Sequence, residues 1–219
     1  MKHIRLALAF ALVLMLISAF TAIADENART GKDLKIGDTF IFGAVEQDYD
    51  FKDDDYLFRL EPIEWIVIDK TSDKALLLSK QVLTSVPYHS EKVDVTWENS
   101  DIREYLNSTF MDNCFSESEK AAILKTKVKN NSDRNTEWNT SGGNDTEDYL
   151  FLLSYNEATG SIPYLREEKK RITSATVFAA KVGVDESFGK NGWWWLRLPG
   201  KKQNEAAYIT GNGSDYRHF

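Results

Sequence analysis

Apolar residues alternate with small or polar ones over residues 36–43 (IGDTFIFG), the period-two pattern of a half-buried strand. Residues 64–69 (EWIVID) and 75–79 (ALLLS) are apolar almost throughout, and a short polar stretch at 70–74 separates them. The pair predicts a β-hairpin, and the lack of alternation predicts strands covered on both faces. The period then lengthens. Ile102, Tyr105, Leu106 and Phe110 share one helical face, with Ser100 placed to cap the helix, Trp97 to pack and Asn99 to cap just before it. Ser116-Glu117-Ser118-Glu119 spells a capping box that opens a second helix running to Leu124. Residues 130–148, rich in Asn, Ser, Thr, Gly and Asp, predict a long surface loop. After them come a buried strand at 149–154 (YLFLLS), a helix at 174–182 ended by Gly183, a strand at 193–197 (WWWLR) and a last strand at 206–210. With no internal repeat and no clean linker, the reading is one α+β domain over residues 36–219. It has a central, mostly antiparallel sheet, two or three short helices and long loops.

The N-terminus follows a different logic. Lys2, His3 and Arg5 precede an unbroken apolar run at residues 6–20, and Ala22-Ile23-Ala24 supplies small residues around a cleavage point. That order is the pattern of a secretory signal peptide over residues 1–24, and residues 25–35 read as a frayed polar leader. Export to the cell envelope or the medium is the expected localisation, without stable membrane insertion once the signal is cut. Removal leaves 195 residues, enough for a core that needs no disulfide or metal. The single cysteine, Cys114, forms no internal bridge and reads as a small buried hydrophobe. Loss of Lys2 and Arg5 takes the net charge from −7 to −9, which repels nucleic acid and anionic lipid alike.

Little catalytic chemistry is legible. Two histidines remain beyond the leader, His89 and His218, with no spacing that suggests a zinc site or a nucleophile–base pair. No P-loop or dinucleotide fingerprint is present. Asp133, Asn135, Glu137 and Asn139 place oxygens at alternate positions, a weak calcium candidate. Trp138 stands where an EF-hand loop needs glycine and Asn144 where it needs a bidentate Glu, so no cofactor is assigned. A second oxygen-rich cluster, Asp48, Asp50, Asp53, Asp54 and Asp55, reads as a solvated loop. Aromatics carry more. On a strand Trp194 must face opposite to Trp193 and Trp195, so at least one tryptophan is expected to project from the core as a platform for a sugar ring or a protein anchor. Trp193, Trp194, Trp195, Arg197 and Trp97 are the candidate binding residues. Arg197 and Arg103 either grip a ligand carboxylate or tie a strand to a helix through an internal one.

Several segments taken together, GDTFIFG, IEWIVIDK, KALLLSK, VTWENSDIREYLNSTF, FSESEKAAI, DYLFLLSYNEA and GWWWLRLPG, resemble an uncharacterised bacterial family, domain-of-unknown-function family 6273, whose landmark is a WWLRSPG-like strand. That family's pattern is in turn similar to C-type-lectin-like domains of the sulfatase-modifying type, which implies a mixed α+β domain with irregular loops. Two departures stand out. Leu198 replaces the family's serine, and similar proteins continue into a GVRPA-like strand where this chain stops at Phe219. Formylglycine-generating chemistry, which the resembled fold also hosts, needs two cysteines and is set aside. Three readings stay open: an exported non-catalytic module binding a glycan or a cell-wall-associated protein, an exported hydrolase using paired carboxylates, and a truncated structural paralogue without activity.

Overall fold

The computed structural model describes residues 34–49, 58–130, 140–184 and 189–216, with two short strands further upstream. Those are β1 (Ala9–Phe10) and β2 (Leu14–Ser18), and both fall within the apolar run read as a leader. The signal cleavage point, the polar leader up to residue 33, Asp50, Asp53, Asp54, Asp55, the calcium candidates Asp133, Asn135, Glu137 and Asn139, and His218 lie outside the described residues.

The expected hairpin forms the body of the main sheet. β3 (Thr39–Tyr49), β4 (Phe58–Lys70) and β5 (Lys74–Ser79) run antiparallel in sequence order. Trp65, Val67, Ile68 and Leu77 are fully buried, as the unbroken apolar runs require. The strands are longer than their apolar cores because β3 and β4 continue as a polar ribbon. Leu34, expected to fray, is buried instead. β2 lies antiparallel beside β5, and on its far side β9 (Leu150–Phe151) completes the order β3-β4-β5-β2-β9. A register shift near Gly43 lets Phe115 reach the sheet. Gly43 has φ +72°, and a Cβ there would sit 2.6 Å from the Phe115 ring and 2.8 Å from the Cys114 carbonyl oxygen.

Three smaller sheets surround this one. β6 (Ser85–Val86) pairs with β1, β7 (Thr126–Val128) with β8 (Thr146–Asp148), and β10 (Trp194–Pro199), β11 (Ala206–Ile209) and β12 (Asp215–Tyr216) form an antiparallel triplet. The β7–β8 pair corrects the reading of residues 130–148 as pure surface loop. Asn130, Thr140, Thr146 and Asp148 are all buried: Asn130, Thr146 and Asp148 are linked through the Thr146 hydroxyl, and the Thr140 hydroxyl donates to the Gly200 carbonyl.

Helices are short. α1 (Asp101–Tyr105) passes through a π turn at Leu106–Phe110 into α2 (Met111–Cys114), and the predicted face holds: Ile102, Leu106 and Phe110 are buried. Ser100 occupies the N-cap position, but its hydroxyl turns back to the Trp97 carbonyl (2.9 Å) rather than capping. The capping box at α3 (Glu117–Lys120) forms in full, and the Glu119 carboxylate also accepts the Gly43 N–H (2.8 Å), fastening helix to strand. The helix stops at Lys120, short of Leu124. α4 (Val177–Val182) begins later than expected because the Thr176 side chain caps it, and it ends at Gly183 as anticipated. The result is the α+β architecture read from the sequence, and among the described residues no helix is long and apolar enough to cross a membrane.

Strand β9 is shorter than the apolar run at 149–154 predicts, and Asn107 in the π turn explains part of this. Its amide nitrogen donates to the Leu150 carbonyl (2.8 Å), and its oxygen accepts from the Tyr149 (2.8 Å) and Leu150 (3.2 Å) N–H groups. One side chain thus stands in for a neighbouring strand. Asn107→Leu should leave these backbone groups without their partner and cost about 2–4 kcal/mol, read as a lower melting temperature by circular dichroism.

Candidate functional site

Of the five candidate binding residues, four are interior. Trp97 (0% exposed), Trp194 (1%), Arg197 (1%) and Trp195 (4%) are buried, and Trp193 is half-buried. The alternation expected along the strand is present: Trp193 and Trp195 both meet Tyr208, whereas Trp194 faces the other way and its indole N–H donates to the Arg171 carbonyl (3.1 Å). Burial of Trp194 turns it from a platform into a core residue, since the loop ending at Arg171 covers that side of the triplet.

Arg197 is fixed by five hydrogen bonds. Nε donates to Asn130 Oδ1 (2.9 Å), Nη1 to the Leu152 carbonyl (2.8 Å) and Glu157 Oε2 (2.5 Å), and Nη2 to the Lys129 carbonyl (3.1 Å) and Glu157 Oε1 (3.0 Å). Every guanidinium N–H is used, and the Glu157 pairing is the bidentate fork that arginine forms with a carboxylate. Glu157 is itself held by a reciprocal capping pair, accepting the Ser154 N–H while its own N–H donates to the Ser154 hydroxyl. The Ser-x-x-Glu spacing was available as a signal at residues 154–157.

From Asn130 the polar contacts continue. Its amide nitrogen reaches the Thr146 hydroxyl (3.3 Å), which donates to Asp148 Oδ2 (2.6 Å). Asp148 also accepts from the Trp97 indole (2.9 Å) and from Arg103 Nε (2.7 Å). Of the two roles open to Arg197 and Arg103, the structure therefore shows the internal one for both: each ties a β-strand to a helical segment.

What remains accessible is aromatic. Trp195, Tyr208 and Tyr216 are direct cross-strand partners on β10, β11 and β12, and Trp193 lies two residues before Trp195 on the same face. Trp193 stacks on Tyr208 with centroids 5.0 Å apart and planes at 13°, and Tyr208 meets Tyr216 at 5.4 Å. Tyr208 is buried while Tyr216 is 48% exposed, so the row grades from core to solvent. Tyr208 and Tyr216 were not among the sequence candidates. Their strand pairing, which the sequence of neither strand announces, brings them to the tryptophans.

The remaining chemistry is sparse. His89 Nδ1 lies 2.8 Å from Asp101 Oδ1, whose other oxygen accepts the Ser90 N–H (2.6 Å). Burial works to raise the Asp101 carboxyl, but the Ser90 hydrogen bonds and the His89 charge outweigh it and hold the group below its usual 3.8. Cys114 is buried, and burial pushes its thiol up to about 12, far from a reactive thiolate. Among the described residues no group of three or more His, Cys, Asp or Glu is placed to hold a metal ion.

Four outcomes are expected. Arg197→Met should destabilise the protein by about 3–5 kcal/mol by stranding Glu157 and the buried acceptors on Asn130 and Leu152. Arg197→Lys should recover little, because an ammonium cannot reproduce the fork; thermal unfolding checks both. Cys114 should react with a thiol reagent far more slowly in the folded chain than in denaturant. The Asp101 pair contributes stability that is complete above 3.8 and is lost as pH falls through the lower folded value. The Ser90 amide resonance should therefore report the Asp101 titration as a step centred below 3.8.

Searches of curated proteins and of solved structures each found no match. A family model described as a domain of unknown function, DUF6273, matches residues 72–217. The match runs from the turn before β5 through β12. It takes in the Arg197–Glu157 fork, the Asp148 cluster and the aromatic row, while β3 and β4 precede it. On that match across most of its length, the chain belongs to the DUF6273 family.

Proposed function

We propose that this protein is an exported, non-catalytic binding module whose contact surface is the aromatic row of β10–β12. The observation that carries the reading is Trp193, stacked nearly parallel on Tyr208 and only partly buried, with Tyr216 exposed on the other side of Tyr208's strand. A ring already held by a buried neighbour loses little freedom on binding, and an indole is a flat apolar surface of the kind that suits the apolar side of a pyranose. The similarity to C-type-lectin-like domains and the leader-like N-terminus support the same reading.

Glycan-array screening of the secreted product, followed by calorimetry on hits, tests the proposal. Trp193→Ala and Tyr216→Ala should each weaken binding about tenfold or more; Tyr216→Ala should leave the melting curve nearly unchanged, whereas Trp193→Ala, which removes a ring packed against the core, should lower it. Absence of binding to any glycan and to cell-wall preparations would refute it, as would unchanged affinity in both variants.

A further inference from the structure

Strand β2 occupies the interior of the main sheet, yet Leu14–Ser18 belong to the apolar run read as an export leader. One finished molecule cannot have both: cleavage after Ala24 removes the strand with the leader. What would remain is a gap between β5 and β9 the width of one missing strand, about 9–10 Å across. Closing it would move β9 by about 5 Å. The anchors of β9 oppose that shift: the Asn107 amide holds the Leu150 backbone, and Arg197 holds the Leu152 carbonyl through its side chain and the Leu153 carbonyl through its N–H. The facing backbone groups of both strands would stay without partners, a template for another strand.

We infer that the processed domain is a strand acceptor, and that the gap takes an extended apolar segment of another polypeptide, antiparallel to β5. The inference rests on the export reading above. The chemistry of the occupant follows from the lips of the gap. Ala75, Leu77 and Leu78 on β5 and Leu150 and Phe151 on β9 are all buried, so an inserted strand meets apolar surface on both its faces. It must be uncharged over about five residues and free of proline. The register Leu14↔Leu78 through Ser18↔Lys74, with Leu14↔Phe151 on the other side, shows that such a segment fits between the two strands. Main-chain pairing would supply affinity and the side-chain pockets selectivity, as in β-strand addition generally. This site lies on a different sheet from the aromatic row, so the two can be tested separately.

The test expresses the full chain with its own leader in an exporting bacterial host and purifies the secreted product. Mass spectrometry first establishes where that product begins; a retained leader would overturn the inference at this step. A fluorescent peptide of residues 9–20 with lysines added at its ends is then titrated into the processed protein. Saturable binding and a raised melting temperature are expected. A Leu16→Pro version should bind about a hundredfold more weakly, since proline removes a ladder donor. If the processed chain is unfolded alone, the peptide should induce a cooperative melting transition. Failure of the peptide to bind a folded product, or to fold an unfolded one, would overturn the inference while leaving the glycan assay unaffected.

Discussion

The interior of this protein depends on one buried cation. A guanidinium withdrawn from water is tolerated when each of its N–H groups finds an acceptor and its charge a counter-ion. Arg197 meets both conditions at once, through Glu157, Asn130 and the carbonyls of Lys129 and Leu152. Its main chain is equally committed: the N–H donates to the Leu153 carbonyl, and the carbonyl accepts from the Tyr88 hydroxyl. Segments far apart in sequence are thereby fixed to β10. Apolar packing would allow the same segments to slide, because it has no direction. Five directed bonds around a planar group do not.

Two π turns make this possible. At Leu106–Phe110 and at Glu157–Ser161 the helix widens, and each segment carries a polar residue that acts at a distance, Asn107 and Glu157. Asn107 takes the place of a strand beside Leu150, and Glu157 takes the place of solvent around Arg197. The main sheet accordingly stops pairing at Phe151, although the apolar run continues to Leu153. Beyond that point Arg197, through its side chain to Leu152 and its N–H to Leu153, performs the joining that strand ladders perform elsewhere.

Much of the scaffold was legible in the sequence because it follows from periodicity. The β4–β5 hairpin, the Ile102–Leu106–Phe110 face, the Ser116 capping box and the opposed tryptophans of β10 all rest on patterns of two or 3.6 residues. The polar interior was not legible for the converse reason. Asn130, Thr146 and Asp148 sit in a stretch whose composition is that of a solvated loop, and nothing local marks them as mutual partners. Their burial is decided by Trp97, Arg103 and Arg197, all distant along the chain. Arg103 and Arg197 did carry a usable hint, since an arginine within an apolar strand or a helix start needs a carboxylate. The aromatic row was half legible: Trp193 was singled out, but Tyr208 and Tyr216 join it only through strand register.

These features bear jointly on how a binding surface could be built here. β10 carries Trp194 and Arg197 into fully enclosed surroundings, and Trp193, just before it, begins the row that ends at Tyr216. The strand that displays Trp193 is therefore the one most strongly fastened to the interior. Its orientation is set by hydrogen bonds to Arg171, Leu153 and Tyr88 before any ligand arrives. A surface of that kind binds without first being ordered, so the free energy of contact is not consumed in immobilising the side chains that make it. On the binding reading proposed above, the buried arginine would act without touching a ligand, by fixing the strand that Trp193 leads into.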